Sequence, residues 1–351
     1  MGKQIFKYAS INLLFLALFS FSTAFAENFE KSIKKSYDVN KNGHLILKNK
    51  FGEIRCETWE KNIVSIDVKI LVEARNQQKA QNIFDKINVE ISGSKNLVEV
   101  ITHIKSINNS SEEFSINYKV FFPETITLDL ENKFGNTYLP DIYGPSNIKI
   151  SYGDIYANSL LNEDIKLKIA YGDGRIDKIN KAYIELSYSE VSIDDIKVAE
   201  IDSKFSELFI GNIDDLDLDT QYDDIEIDRL DILILNSQFS DVGIDKLSRM
   251  ADLDIQYGEC SIGTLSDGFE KINIISSFSN VKIGIDSDAS FSISAKLKFG
   301  DLRFPENQSN IRKFIERPTS KEIEGVVGTE KNPSSSIVVD SKNGDVKLYY
   351  K

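Results

Sequence analysis

The chain has 351 residues, of which 41% are hydrophobic and 28% are charged, with a formal net charge of -13 and two cysteines. This apolar content is enough for a large core, so the composition excludes a disordered chain and a small disulfide-stabilised scaffold. Nucleic acid and anionic membrane surfaces are excluded as partners, because both repel a negatively charged protein.

The first element in the chain is a predicted secretory signal peptide, residues 1–26. Lys3 and Lys7 precede an apolar run at residues 11–21, and small residues lead up to Ala26. An uncleaved anchor is the alternative, but the apolar run is shorter than the ~20 residues that span a membrane. We expect an exported chain with no transmembrane segment after cleavage, located in the periplasm, at the cell surface or outside the cell.

A repeat is the strongest signal in the remaining sequence. An aromatic residue followed by Gly, Ser or Asp, and usually then by an acid or Asn, recurs every 17 to 21 residues. The aromatic positions are Phe134, Tyr152, Tyr171, Tyr188, Phe205, Tyr222, Phe239, Tyr257, Phe278 and Phe299, with outlying copies at Phe51 and Asn343.

Apolar residues alternate on both sides of each aromatic position, which indicates short strands with one buried face that meet at a corner. No unit closes a core alone, so the units must stack. The pattern predicts an all-β fold, a single-stranded parallel β-helix (β-solenoid) of about 10 to 12 coils and roughly 50–60 Å at ~4.8 Å per coil. A sandwich or barrel also alternates, but does not repeat one corner at near-constant spacing.

Residues 27–351 are predicted to form a single domain with two interruptions. Residues 60–128 are a small α+β insertion with a helix at 74–87. Residues 47–52 (LKNKFG) resemble residues 130–135 (LENKFG), so we expect these coils to stack directly, with Asn49 over Asn132 and Lys48 over Glu131, and the insertion to cover one end of the rod. Residues 305–335 are expected to be a surface loop, and residues 337–348 the final coil.

These features together resemble the bacterial putative adhesin family, an exported domain of unknown function. The resemblance rests on the signal peptide, on Trp59 soon after the first corner, on a strand that runs into Pro123, on the serial Gly-Asp corners and on the closing Asn343-Gly344-Asp345 coil. It implies a right-handed parallel β-helix and carries no catalytic motif. Ser or Asp replaces Gly in several corners, which indicates that the corner does not require a positive φ angle.

Acidic residues follow the corners and are expected to form an outward column. Residues 151–300 contain 30 acidic and 14 basic residues. A calcium ion would relieve the repulsion between stacked carboxylates, although a solvated acidic face explains the same pattern. The candidate Ca²⁺ ligands are Asp154, Asp173, Glu190, Glu207, Asp224, Asp241 and Glu259, with a second column at Asp177, Asp194, Asp228 and Asp245.

The aromatic column allows two interpretations. Rings that face solvent would form a platform for sugars, whereas strand parity directs the rings inward, as an internal or corner-wedging stack. We favour the stack, with at least the ring tips reaching water because Phe and Tyr interchange freely.

Cys56 and Cys260 are predicted to be buried and free, because about seven coils, or ~30 Å, separate them along the rod. His44 and His103 have no partners at metal-ligand spacing, and no catalytic motif is present. The sequence therefore favours a noncatalytic, adhesin-like or structural protein of the cell envelope that binds envelope or host proteins or glycans and needs no cofactor. The alternative is a polysaccharide lyase or hydrolase on the same scaffold.

Overall fold

The structure, a computed structural model, describes residues 27–106 and 113–351, so the predicted signal peptide lies outside the described residues. The described ranges contain 26 strands in one continuous sheet. No helix in these ranges has the length and apolarity needed to cross a membrane. The strands of the first half are β1 (Glu27–Asp38), β2 (His44–Lys50), β3 (Ile54–Trp59), β4 (Ile63–Ala74), β5 (Ile87–Gly93), β6 (Leu97–Ile104), β7 (Glu113–Pro123), β8 (Thr127–Lys133), β9 (Thr137–Leu139), β10 (Ser146–Ser151), β11 (Ile155–Leu160), β12 (Ile165–Ala170) and β13 (Gly174–Ser187).

The second half continues with β14 (Glu190–Lys204), β15 (Glu207–Gln221), β16 (Asp224–Gln238), β17 (Asp241–Gln256), β18 (Glu259–Leu265), β19 (Lys271–Ser277), β20 (Asn280–Ile285), β21 (Phe291–Lys298), β22 (Leu302–Arg303), β23 (Ser309–Arg317), β24 (Ser320–Val327), β25 (Ser335–Lys342) and β26 (Val346–Tyr350). One α-helix, α1 (Gln77–Phe84), and one 3-10 helix (Glu306–Gln308) complete the described elements.

The middle of the rod is a stack of parallel coils in strict register. β14, β15 and β16 pair so that each residue lies over the residue one coil earlier, as in Ile193, Ile210 and Ile227. These three side chains are at most 2% exposed. Burying each contributes about 1.5–3 kcal/mol, and the column of such residues is the core of the rod. The predicted all-β stack of coils is confirmed.

Twelve corners join the coils, and their backbone conformation corrects the sequence prediction. In the described chain, the non-glycine residues with positive φ are the eleven repeat aromatics and Asn343, with φ between 53° and 62°. The left-handed position is therefore the aromatic residue and not the residue after it. Ser and Asp replace Gly at the following position because that position does not need positive φ, so the corner itself does require this conformation.

At the N-terminal end the predicted register is confirmed. β2 pairs with β8, which places Asn49 over Asn132 and Lys48 over Glu131. On their other side, β2 and β3 pair with β6 and β7. Antiparallel strands then cover this added coil, β5 on β6 and β4 on β7, with β1 on β4. Lys34 and Lys35 are exposed on the edge strand β1, a charge pattern that opposes pairing with another chain.

The helix of this region is shorter than predicted. Helix α1 covers Gln77–Phe84 instead of 74–87, because Ala74 ends β4 and Ile87 begins β5. Asn76 accepts a hydrogen bond from the Lys79 backbone N–H at 3.0 Å and fixes the start of the helix. The expected apolar face is present, since Ala80, Ile83 and Phe84 are buried.

Two predictions for the C-terminal end are wrong. Residues 337–348 lie in β25 and β26, which are inserted between the β19–β20 coil and the β21–β22 coil and are not the final coil. Residues 305–335 are not a surface loop, since they contain the 3-10 helix and the β23–β24 hairpin. β24 pairs antiparallel with β21, and Ile323 and Val327 are buried there. Antiparallel strands thus cover the parallel stack at both ends.

Candidate functional site

An aromatic ladder runs along one corner of the rod. Ten consecutive rings, from Phe51 to Phe278, stack with centroids 4.8–5.0 Å apart and planes within 4–10° of each other. At one strand spacing per ring, the ladder is roughly 43 Å long. It ends where the inserted C-terminal coil places Asn343 between the coils of Phe278 and Phe299.

The rings point outward, which corrects the direction inferred from strand parity. Side chains of the ladder are 39–52% exposed, and the separate Phe299 is 66% exposed. Parity failed because it counts through the aromatic residue, whose positive φ interrupts the alternation of a strand. The predicted stack at the corner is nevertheless present. Neighbouring rings cover each other's faces, so the ladder presents ring edges, a geometry unsuited to stacking a sugar on each ring.

The corner residues beside the rings form a buried polar row. The Ser206 backbone N–H donates to Asp223 Oδ1 at 2.6 Å, and the Asp223 N–H donates to Ser240 Oγ at 3.0 Å. Thr220 Oγ1 donates to the second oxygen of Asp223 at 2.6 Å. Burial is the largest effect on Asp223 and raises the pKa of its carboxyl group. This row fixes the backbone on which the rings stand.

The predicted acidic column runs beside the ladder. Its members pair in register, as in Glu190, Glu207 and Asp224. Several of its carboxylates have a structural role, since Asp154 accepts from the Asp173 N–H at 3.2 Å and Asp241 from the Glu259 N–H at 2.9 Å. Within the described residues, no three His, Cys, Asp or Glu side chains form a group able to hold a metal ion.

The four carboxylates of the second predicted column, Asp177, Asp194, Asp228 and Asp245, are exposed at the next corner of the coil. Nearby positions are occupied by Gly211 and Gly263, where an added Cβ would lie 2.5 and 2.8 Å from carbonyl oxygens of the preceding coil. At this corner the backbones of successive coils therefore lie close together, and the column does not form a continuous set of cation ligands.

A further column of outward side chains, at the fourth position after each ladder ring, was not predicted from the sequence. Tyr138 and Tyr156 stack at 5.2 Å, and the Arg55 guanidinium lies 4.0 Å above the Tyr138 ring. The register continues from Tyr156 through Arg175, Ser192 and Phe209 to Glu226. The signal was present in the repeat, since alternation sends this position outward and three of its members are aromatic. The short side chain of Ser192 leaves a depression between Tyr156 and Phe209.

Another depression lies on the C-terminal halves of β13 to β16. Tyr183 donates a hydrogen bond from its hydroxyl to Asp202 Oδ2 at 2.5 Å. The same hydrogen bond is the main reason that the pKa of Tyr183 is raised, so the phenol stays protonated. Asp202, Asp219 and Asn236 lie in register and make this depression polar.

Both cysteines are buried and free, as predicted. The register places eight coil steps between them, one more than expected, since Cys56 lies in β3 and Cys260 in β18. Burial raises the pKa of both thiols, that of Cys260 to about 12. The two histidines form separate contacts, His44 with Asp129 at 2.7 Å and His103 with Glu90 at 3.4 Å.

Several solved bacterial structures match most of this chain at low sequence identity. A putative cell adhesion protein from Clostridium sporogenes is 14% identical, with a TM-score of 0.20, over 92% of this chain and 100% of that chain. A putative adhesin from Parabacteroides distasonis is 10% identical, with a TM-score of 0.32, over 91% and 97%. A putative lipid binding protein from the same species is 13% identical, with a TM-score of 0.31, over 90% and 96%.

A comparison with curated proteins finds no match. The family model described as Toastrack DUF4097 matches residues 62–349, which is most of the chain and includes the repeat, the inserted terminal coil and the cap at the C-terminal end. The match confirms the family resemblance that the corners indicated, and the chain belongs to the Toastrack DUF4097 family.

Proposed function

We propose that this protein is an exported, noncatalytic β-solenoid that binds a partner at the bacterial cell envelope through the side of its rod. The observation that carries the proposal is the ladder of ten stacked and half-exposed rings. A continuous apolar strip of this length is unusual on a protein surface and is typical of an interaction site. We further propose that the coil is right-handed, as the family resemblance implies.

The surroundings of the ladder favour an extended partner. On one side lies the acidic column, and on the other lies a row of Lys204, Gln221, Gln238 and Gln256 in register. The same three chemistries repeat over the coils of Phe205, Tyr222, Phe239 and Tyr257, so this part of the surface offers several equivalent contacts and no unique reacting centre. Because ring edges and not ring faces are exposed, we infer that the ladder contacts an envelope or host protein.

Cell binding by the purified protein tests this proposal. The variant Tyr188→Ser/Tyr222→Ser removes two ladder rings. Its matched control is Ile234→Ser/Ile275→Ser, because these isoleucines, in β16 and β19, are 49% and 47% exposed and lie outside the ladder. We expect the labelled wild type and the control to bind cells or host matrix and the ladder variant to bind weakly. Equal binding by all three proteins, or none by any, would refute the proposal.

A further inference from the structure

The depression between Tyr156 and Phe209 has features of a ligand site that are separate from the ladder. It encloses ≈ 370 Å³, which lies within the 300–1,000 Å³ typical of ligand pockets. Tyr156 is 41% and Phe209 37% exposed, and three coil steps, or about 14 Å, separate them. Arg175 and Ser192 occupy the two coils between the rings.

Each ring keeps an apolar surface free. Tyr156 has Tyr138 against one face only, because its other neighbour in the column is Arg175. Phe209 lies between Ser192 and Glu226, and within the described ranges no second ring packs on it. This arrangement differs from the ladder, where neighbouring rings cover both faces. The depression therefore offers two aromatic walls with Arg175 and Ser192 between them.

The polar groups around these walls can both donate and accept. Arg175 has no carboxylate within ion-pair distance in the part of the chain that the structure describes, so its N–H groups are available. The nearby Asp154 carboxylate raises the pKa of the Tyr156 hydroxyl, which therefore remains a donor. The acceptors on the rim are the carboxylates Asp173, Glu190, Glu207, Asp224 and Glu226.

We propose that this depression binds an uncharged sugar segment of a glycan. A sugar ring has an apolar C–H face that packs on an aromatic wall and hydroxyl groups that pair with carboxylates and a guanidinium. Five rim carboxylates against one guanidinium disfavour an anionic sugar, because like charges repel. This inference goes beyond the proposed function, which concerns the ladder.

Glycan binding by the purified full chain tests the site. An array of neutral and uronic-acid oligosaccharides is followed by titration calorimetry with each retained neutral glycan. We expect at least one neutral glycan to bind, and Phe209→Ala and Arg175→Gln each to weaken it about tenfold or more. Ile234→Ala, in β16 outside the depression, is the control and should bind like the wild type. Phe209 has no stacked partner, so its substitution leaves the fold intact.

Three results would overturn the assignment: no neutral glycan retained, uronic-acid glycans preferred, or neutral binding unchanged by both substitutions. Cell binding by Phe209→Ala separates this proposal from the ladder proposal. If the ladder variants lose cell binding while Phe209→Ala retains it and no sugar binds, the ladder proposal stands and the glycan site is wrong. If sugar binds the site but the ladder variants bind cells normally, the glycan site stands and the ladder proposal is wrong.

Discussion

Replacement of one ladder ring measures what the ladder contributes to stability. Phe205 stacks on Tyr188 at 4.9 Å and on Tyr222 at 5.0 Å. Each aromatic pair contributes about 0.5–1.5 kcal/mol beyond burial, so Phe205→Ala should lower the free energy of unfolding by about 1–3 kcal/mol in addition to the lost burial of the ring. Phe209→Ala is the matched control, because Phe209 is 37% exposed against 45% for Phe205 and so loses a similar burial contribution, but it has no stacked partner. Its effect should be smaller than that of Phe205→Ala by the stacking contribution of about 1–3 kcal/mol.

The backbone of the same residue makes a second, independent test. Phe205 has a φ of 54°, which glycine adopts without cost and alanine does not. Phe205→Gly should therefore be more stable than Phe205→Ala by about 1 kcal/mol, although it removes the same ring. At an ordinary strand position the order would be reversed, since glycine is the weaker strand former.

Urea unfolding followed by circular dichroism gives the free energies. Because coils of a solenoid can unfold in parts, exchange of the amide hydrogens at the corners, such as the Phe205 N–H that donates to the Gln221 carbonyl, adds a local measurement. If Phe205→Ala is as mild as Phe209→Ala, the rings do not stabilise one another. If Phe205→Gly is no more stable than Phe205→Ala, the corner conformation is wrong.

Three further predictions concern charge and burial. Burial raises the folded-state pKa of Asp223, so its contribution to stability is present below the unfolded pKa of about 3.9 and is lost as pH rises through the folded pKa. Between pH 3 and pH 7, the melting temperature of Asp223→Asn should therefore rise relative to that of the wild type. A difference that does not depend on pH would contradict this. Screening of the acidic column should raise the melting temperature in NaCl, and CaCl₂ at equal ionic strength should add nothing; a specific increase with calcium would instead favour a cation site. Native protein should resist alkylation at Cys56 and Cys260, whereas unreduced, denatured protein should react at both, and a missing thiol would contradict their separation.

The corners and the core could be predicted from sequence because both follow from local rules. Alternation identified the inward columns, and the near-identity of residues 47–52 and 130–135 fixed which coils stack. The position of the terminal coil could not be predicted. Any coil with the same alternation can pair with any other, so β25 and β26 could equally have stacked at the end or between two earlier coils.

The candidate sites were predicted less well, and one backbone angle explains why. Positive φ at the repeat aromatic turns the chain, so the parity count that directs Tyr222 inward is invalid across the corner. The column of Tyr138, Tyr156 and Phe209 lies within a strand, where alternation is reliable. Reading the fourth position after each ladder ring across the repeats would have identified it.

The conformational cost of the ladder bears on its function. A left-handed residue other than glycine costs about 1–2 kcal/mol, whereas one ring contact returns about 0.5–1.5 kcal/mol. Half-burial of each ring adds a comparable amount, so per coil the ring offsets its own strain with little remaining. Asn343 shows that the corner forms without a ring, at a φ of 56°. Compared with a glycine, which adopts this conformation without strain, an aromatic residue adds little net stability at eleven of the twelve corners. The exposed ring edges therefore favour a role in contact with a partner.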